Sequence, residues 1–67
     1  MNWKPELKTS DGWGGNAQVF ATKAEAEIMA QDIFNRWLVP TDWRAVETED
    51  PVNYKLEEYR LIPVEAA

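Results

Sequence analysis

The segment TKAEAEIMAQDIFNRWLVP, residues 22 to 40, constrains the fold more than any other part of the chain. Thr22 followed three residues later by Glu25 is the pattern of a capping box, in which a hydroxyl caps an orphan helical N–H and the glutamate reaches back. Ala26, Met29, Ala30, Ile33 and Trp37 then recur at intervals of three and four, with Phe34 widening the stripe. That spacing places them on one face of an α-helix running from Lys23 to about Leu38, a face built to pack on a core. Pro40 stops the helix and biases Val39 away from helical angles. Asp32 and Arg36 form an i, i+4 pair in the favourable order, worth about 0.2–0.5 kcal/mol. Ile28 lies opposite the stripe, near Ala24, Gln31 and Asn35, and marks a small candidate contact patch.

On both sides of this helix the apolar period is two. In WKPELKT, Trp3, Pro5 and Leu7 fall on one face and Lys4, Glu6 and Lys8 on the other, the mark of a half-buried strand. Pro5 cannot donate to a ladder, which predicts an edge position or pairing through the strand's other side. SDGWGGN reads as a long turn-rich loop, with Gly14, Gly15 and Asn16 free to take positive φ. AQVFAT reads as a second short strand. After the helix, residues 43 to 48 read as a third strand with Val46 inward. Asp50-Pro51 breaks it. VNYKL alternates with Val52, Tyr54 and Leu56 on one side, Glu57-Glu58 turns the chain, and RLIPV forms a last short strand. The terminal VEAA is expected to fray. The predicted fold class is α+β: a single domain over residues 1–67, in which a small antiparallel sheet of about four strands, ordered β-β-α-β-β along the chain, carries one helix on one face.

Stability and chemistry are bounded by what the chain lacks. It has 67 residues with no cysteine and no histidine. A core this small is marginal without help, and disulfides and imidazole- or thiolate-based metal sites are excluded. The four tryptophans, Trp3, Trp13, Trp37 and Trp43, read as compensation, most of them on core faces rather than as base-stacking platforms. Nucleophilic catalysis finds no Ser-His, Cys-His or Ser-Lys arrangement. A pair of carboxylates drawn from Asp42, Glu47, Glu49 and Asp50 would need a pocket of about 300 Å3 or more, and a chain this short is expected to enclose none. DGWGGN lacks the spacing and lysine of a phosphate loop, and ETED lacks the spacing and central glycine of a calcium loop. The reading is therefore a non-enzyme without cofactor or metal.

The formal charge is −5, and residues 47–67 carry −4 of it. Direct nucleic-acid binding is disfavoured, because phosphate contacts need a basic patch. Neither a signal peptide nor a membrane span is evident, so the expectation is a cytoplasmic protein without membrane contact. The acidic residues Glu47, Glu49, Asp50, Glu57 and Glu58 form the candidate partner surface. Their acidity also serves solubility. WKPELKT as an edge strand, or the Ile28 patch, would allow a weak homodimer, the alternative being a monomer.

Several segments together carry a family resemblance: Trp3-Lys4-Pro5-Glu6, Phe20-Ala21-Thr22-Lys23-Ala24-Glu25-Ala26, Arg36-Trp37, Asp42-Trp43-Arg44-Ala45-Val46-Glu47, Asp50-Pro51-Val52-Asn53-Tyr54-Lys55 and Leu61-Ile62-Pro63. Their pattern resembles that of a group of small uncharacterised proteins from bacteriophages, prophages and bacterial genomes, over nearly the whole chain. DPVNY is the most specific piece. The departures are Lys55 in place of arginine, Trp43-Arg44-Ala45 in place of a plainer strand, and Glu58-Tyr59 where a glycine turn is common. The resemblance implies a phage or mobile-element setting and no catalytic residues. The expected role is a small protein-binding accessory or regulatory protein whose partner is a host or phage protein. The alternative is an acidic nucleic-acid mimic that inhibits a host defence or DNA-processing enzyme.

Overall fold

The structure, a computed structural model, describes residues 1–15, 17–58 and 60–64. Five strands and one helix follow in the order β1 (Asn2–Thr9), β2 (Gly12–Gly15), α1 (Lys23–Arg36), β3 (Asp42–Thr48), β4 (Tyr54–Glu57) and β5 (Arg60–Pro63). The α+β class holds, with every strand pairing antiparallel. The strands number five, in a three-stranded sheet ordered β2-β1-β3 and a separate β4-β5 hairpin. The helix packs on β1 and β3.

The helix starts as its cap dictates. Thr22 sits in an extended conformation, and its Oγ1 accepts the Glu25 backbone N–H at 3.2 Å. Glu25 does not reach back to the backbone: its Oε1 accepts the Thr22 hydroxyl at 2.9 Å, and its Oε2 accepts the Leu56 N–H at 2.9 Å. One side chain thus closes the cap and ties the helix to β4. The apolar stripe buries Ala26, Met29 and Ala30, and Ile33 and Phe34 are half-buried. The Arg36–Asp32 pair forms at 2.8 Å, well exposed on both sides, and is therefore of little energetic weight. Trp37 departs from expectation. It is extended (φ −113°, ψ 122°) just past the helix, its N–H still bonded to the Ile33 carbonyl at 2.9 Å. The chain must here leave the helix, bury Pro40, and place the Thr41 N–H on the Lys8 carbonyl at 2.8 Å before entering β3.

Pro5 lies in the central strand, the second of the two expected arrangements, and hydrogen-bond direction explains why this is tolerated. Trp3 exchanges both backbone bonds with Phe20, at 2.8 and 2.7 Å. Odd-numbered residues of β1 therefore turn their backbone groups to the β2 side, since direction alternates along a strand. Pro5 turns its missing N–H to that side too, in the interval between Phe20 and the first β2 pair, Glu6 with Gly15. No ladder bond among the described residues is asked of it. This central placement also removes WKPELKT as a dimerising edge.

Two other segments exchange roles relative to expectation. Residues 12–15 form a strand, whereas residues 17–22 form none beyond the Phe20 bridge. The tip at Ser10 and Asp11 has no positive φ, and Gly12 follows at +104°. A turn closed by a left-handed glycine is the G1-bulge hairpin, which converts the glycine run into a paired strand. Gly14 and Gly15 do not use positive φ, and Asn16 lies outside the described residues. In β3 the register pairs Ala45 with Pro5 and Val46 with Lys4. Ala45, not Val46, therefore faces the helix, because directly paired residues share a face.

The buried core is Leu7, Val19, Phe20, Ala26, Met29 and Ala30, with Pro5 also enclosed. Trp3, Ile33, Ala45, Tyr54 and Leu56 pack around it. None of the four tryptophans is fully buried. They frame a core of smaller side chains rather than filling it, which corrects the expectation. Trp13 stands on the open face of the sheet, where the Arg44 guanidinium stacks 4.0 Å from its ring centroid. Arg44 Nε and Nη2 also donate to Glu6 Oε1 at 2.9 and 2.7 Å. This chain of contacts crosses all three strands, and the cation–π stack adds about 0.5–1 kcal/mol at such a site.

Asn53 docks the hairpin. Its Oδ1 accepts the Val19 N–H at 2.7 Å and its Nδ2 donates to the Ala17 carbonyl at 2.6 Å. Its backbone N–H bonds the Val19 carbonyl, and its own carbonyl accepts the Val64 N–H at 2.8 Å. Glu57 pairs with Arg60 to close the hairpin, so the turn begins at Glu58 rather than Glu57. Glu58 is the one described non-glycine residue with positive φ, +51°. Tyr59 and the terminal residues 65–67 lie outside the described residues. A left-handed residue with a Cβ is strained, so Glu58→Gly is expected to raise stability by about 0.5–1 kcal/mol. Urea unfolding checks this. An unchanged midpoint would show that the turn does not hold Glu58 there.

Candidate functional site

The helix meets two different surfaces along its length. Near its N-terminus Glu25 bonds the Leu56 N–H, and Tyr54 and Leu56 of the hairpin pack against the cluster of Phe20, Ala26 and Met29. The C-terminal end of the helix faces β2, whose residues offer almost nothing to pack. Gly14 is paired with Leu7, and Gly12 with Thr9. These glycines therefore occupy the helix-facing side of β2, and no side chain fills the space above them. A Cβ built on Gly14 would meet no atom within 4 Å.

The result is an open groove of about 370 Å3. Pro5, Leu7 and Thr9 line it from β1, Ile33 and Trp37 from the helix end, and residues 12 to 15 from the edge strand. Among the described residues, Asp11 is the only charged one lining it. The space is an open groove rather than an enclosed pocket, and Gly12 and Gly14, the two glycines on the helix-facing side of β2, create it. Trp37 is 46% exposed, and it is followed by Leu38 at 97% and Val39 at 57%. Trp37, which lines the groove, thus opens a run of three exposed apolar residues. Singly exposed apolar residues are ordinary, but a run of three beside a concave apolar surface is not.

The edge beside the groove has a defined chemistry. Trp3 sets the backbone direction in β1, so Leu7 and Thr9 bond Gly14 and Gly12, and Trp13 and Gly15 turn their N–H and C=O groups away from the sheet. No described strand pairs with that side. The opposite edge, β3, carries Asp42, Arg44 and Glu47, charges of the kind that discourage strand addition. In β2 there is no charged residue.

The acidic residues picked from the sequence fall into two sets. Glu47, Glu49 and Asp50 lie at the exit of β3, where the Asp50 carbonyl accepts the Asn2 side-chain amide at 2.7 Å. Glu57 and Glu58 lie at the hairpin tip, with Arg60 and Ile62 beside them. Lys55 Nζ sits 2.8 Å from Glu57 Oε1 and neutralises part of that set. Among the described residues no hydrogen bond or ion pair joins the two sets, and no group of three carboxylates is placed to hold a metal ion. Ile28 is 39% exposed on the far side of the helix. No helix among the described residues is long and apolar enough to cross a membrane.

Sequence reading did not anticipate the groove. Its signal was the glycine run around Trp13, which also reads as a flexible turn. Compared with family models, curated proteins and solved structures, the chain matches none.

Proposed function

We propose that this is a small non-enzymatic accessory or regulatory protein that acts by binding another protein through the groove between β2 and the end of α1. The observation that carries this reading is the 370 Å3 apolar groove together with the exposed run of Trp37, Leu38 and Val39. Among the described residues its lining offers one carboxylate, Asp11, and one hydroxyl, Thr9, a set better suited to recognition than to general acid–base chemistry. The resemblance to phage-associated proteins supplies the proposed setting, a cytoplasmic one with a host or phage protein as partner. The acidic-mimic alternative finds less support, because the carboxylates divide between two elements and Glu57 is already paired with Lys55.

Capture from host lysate, repeated with two variants, tests the choice. Gly14→Leu fills the groove, and charge reversal at Glu49, Asp50, Glu57 and Glu58 removes the acidic surface. A partner lost with Gly14→Leu and retained with the charge reversal is the expected result. The opposite pattern, with binding that weakens steeply as salt rises, would transfer the function to the acidic residues.

A further inference from the structure

Resting on that protein-binding reading, we infer that the partner enters as an extended strand that adds to β2, placing an apolar side chain in the groove and a basic one near Asp11. Three independent features select this occupant.

The first is the free edge. Trp13 and Gly15 present outward N–H and C=O groups about 7 Å apart along β2, the repeat an added strand uses. The second is the glycines. Side chains alternate across a strand, so every second residue of an incoming segment points to the helix side. There it would pass over Gly12 and Gly14 without obstruction and reach Leu7, Ile33 and Trp37. The third is charge. Asp11 is the one charged group on the groove among the described residues, and the chain carries −5. A basic segment is attracted, and a second copy of this chain is repelled. Trp13 and its stacked Arg44 lie on the other face and leave the edge clear.

A display library of random ten-residue peptides, selected on the full chain, tests this. The sequences enriched should alternate apolar residues with Lys or Arg. One of them, made synthetically, should shift the amides of Trp13 and Gly15. Blocking its alternate backbone nitrogens by N-methylation in one phase should weaken binding about tenfold or more, the scale of an edge hydrogen bond or two, while the other phase should change little. The methylated peptides leave the protein's own fold untouched. Enriched sequences with apolar residues every three or four positions, acidic sequences, affinity indifferent to methylation in both phases, or no enrichment over a Gly14→Leu control would each overturn strand addition. So would sedimentation showing that β2 is occupied by a second copy. A helical ligand that still depends on the groove would overturn only the strand, whereas loss of all groove-dependent binding would remove the protein-binding reading as well.

Discussion

Asn53→Ala is expected to cost about 2–3 kcal/mol of folding stability, a large share of what a chain of this size possesses. The Val19 N–H would lose its acceptor at 2.7 Å, and Val19 is only 4% exposed, so water does not readily replace it. A buried donor left unpaired costs about 1–3 kcal/mol. The Ala17 carbonyl loses its donor as well, but Ala17 is exposed and regains a hydrogen bond from solvent. A domain of this length is typically stable by roughly 3–10 kcal/mol. The substitution should therefore release the β4-β5 hairpin from residues 17 to 19 before the three-stranded sheet is affected. Chemical denaturation measures the total loss, and amide exchange at Val19 reports the release directly. A loss below about 0.5 kcal/mol would show that the Asn53 side chain does not hold the hairpin.

The second large effect separates two neighbouring glycines. A Cβ at Gly15 would lie 2.7 Å from the Pro5 carbonyl oxygen, a backbone atom with no rotamer to yield. Gly15→Ala should therefore lift the end of β2 from β1 at the point where Pro5 already interrupts pairing, at a cost of about 1–3 kcal/mol. At Gly14 the same atom meets open space and φ is not positive. Gly14→Ala should be neutral or stabilising by up to about 1 kcal/mol, through reduced freedom of the unfolded chain. Thermal unfolding of the two variants side by side checks the contrast. Equal losses would mean that β2 does not approach β1 as closely as described.

What the sequence reveals here is what depends on near neighbours. The Thr22 cap, the Ala26-Met29-Ala30 stripe and the alternation of Trp3, Pro5 and Leu7 are all written at short spacing, and all appear in the structure. The misreadings arise where partners are distant. Val19 and Phe20 are strand formers, yet they serve the core and one bridge, because burial rather than ladder pairing decides their conformation. Glycines at 12, 14 and 15 argue for a loop by propensity, yet the tip at Ser10 and Asp11 pairs them with β1. Asn53 meets Ala17 and Val19 across 36 and 34 residues, a separation that no local pattern encodes. The groove is legible least of all, since it arises from side chains that are missing opposite a helix end that stops at Arg36.

The proposed recognition lies between the glycine edge of β2 and the end of α1. Chemical-shift mapping of the isotopically labelled chain, titrated with the protein it captures, tests this most directly. The amides of Gly12–Gly15, Ile33, Trp37, Leu38 and Val39 are expected to move. Movement confined to Glu47, Glu49, Asp50, Glu57 and Glu58, with the groove silent, would contradict it.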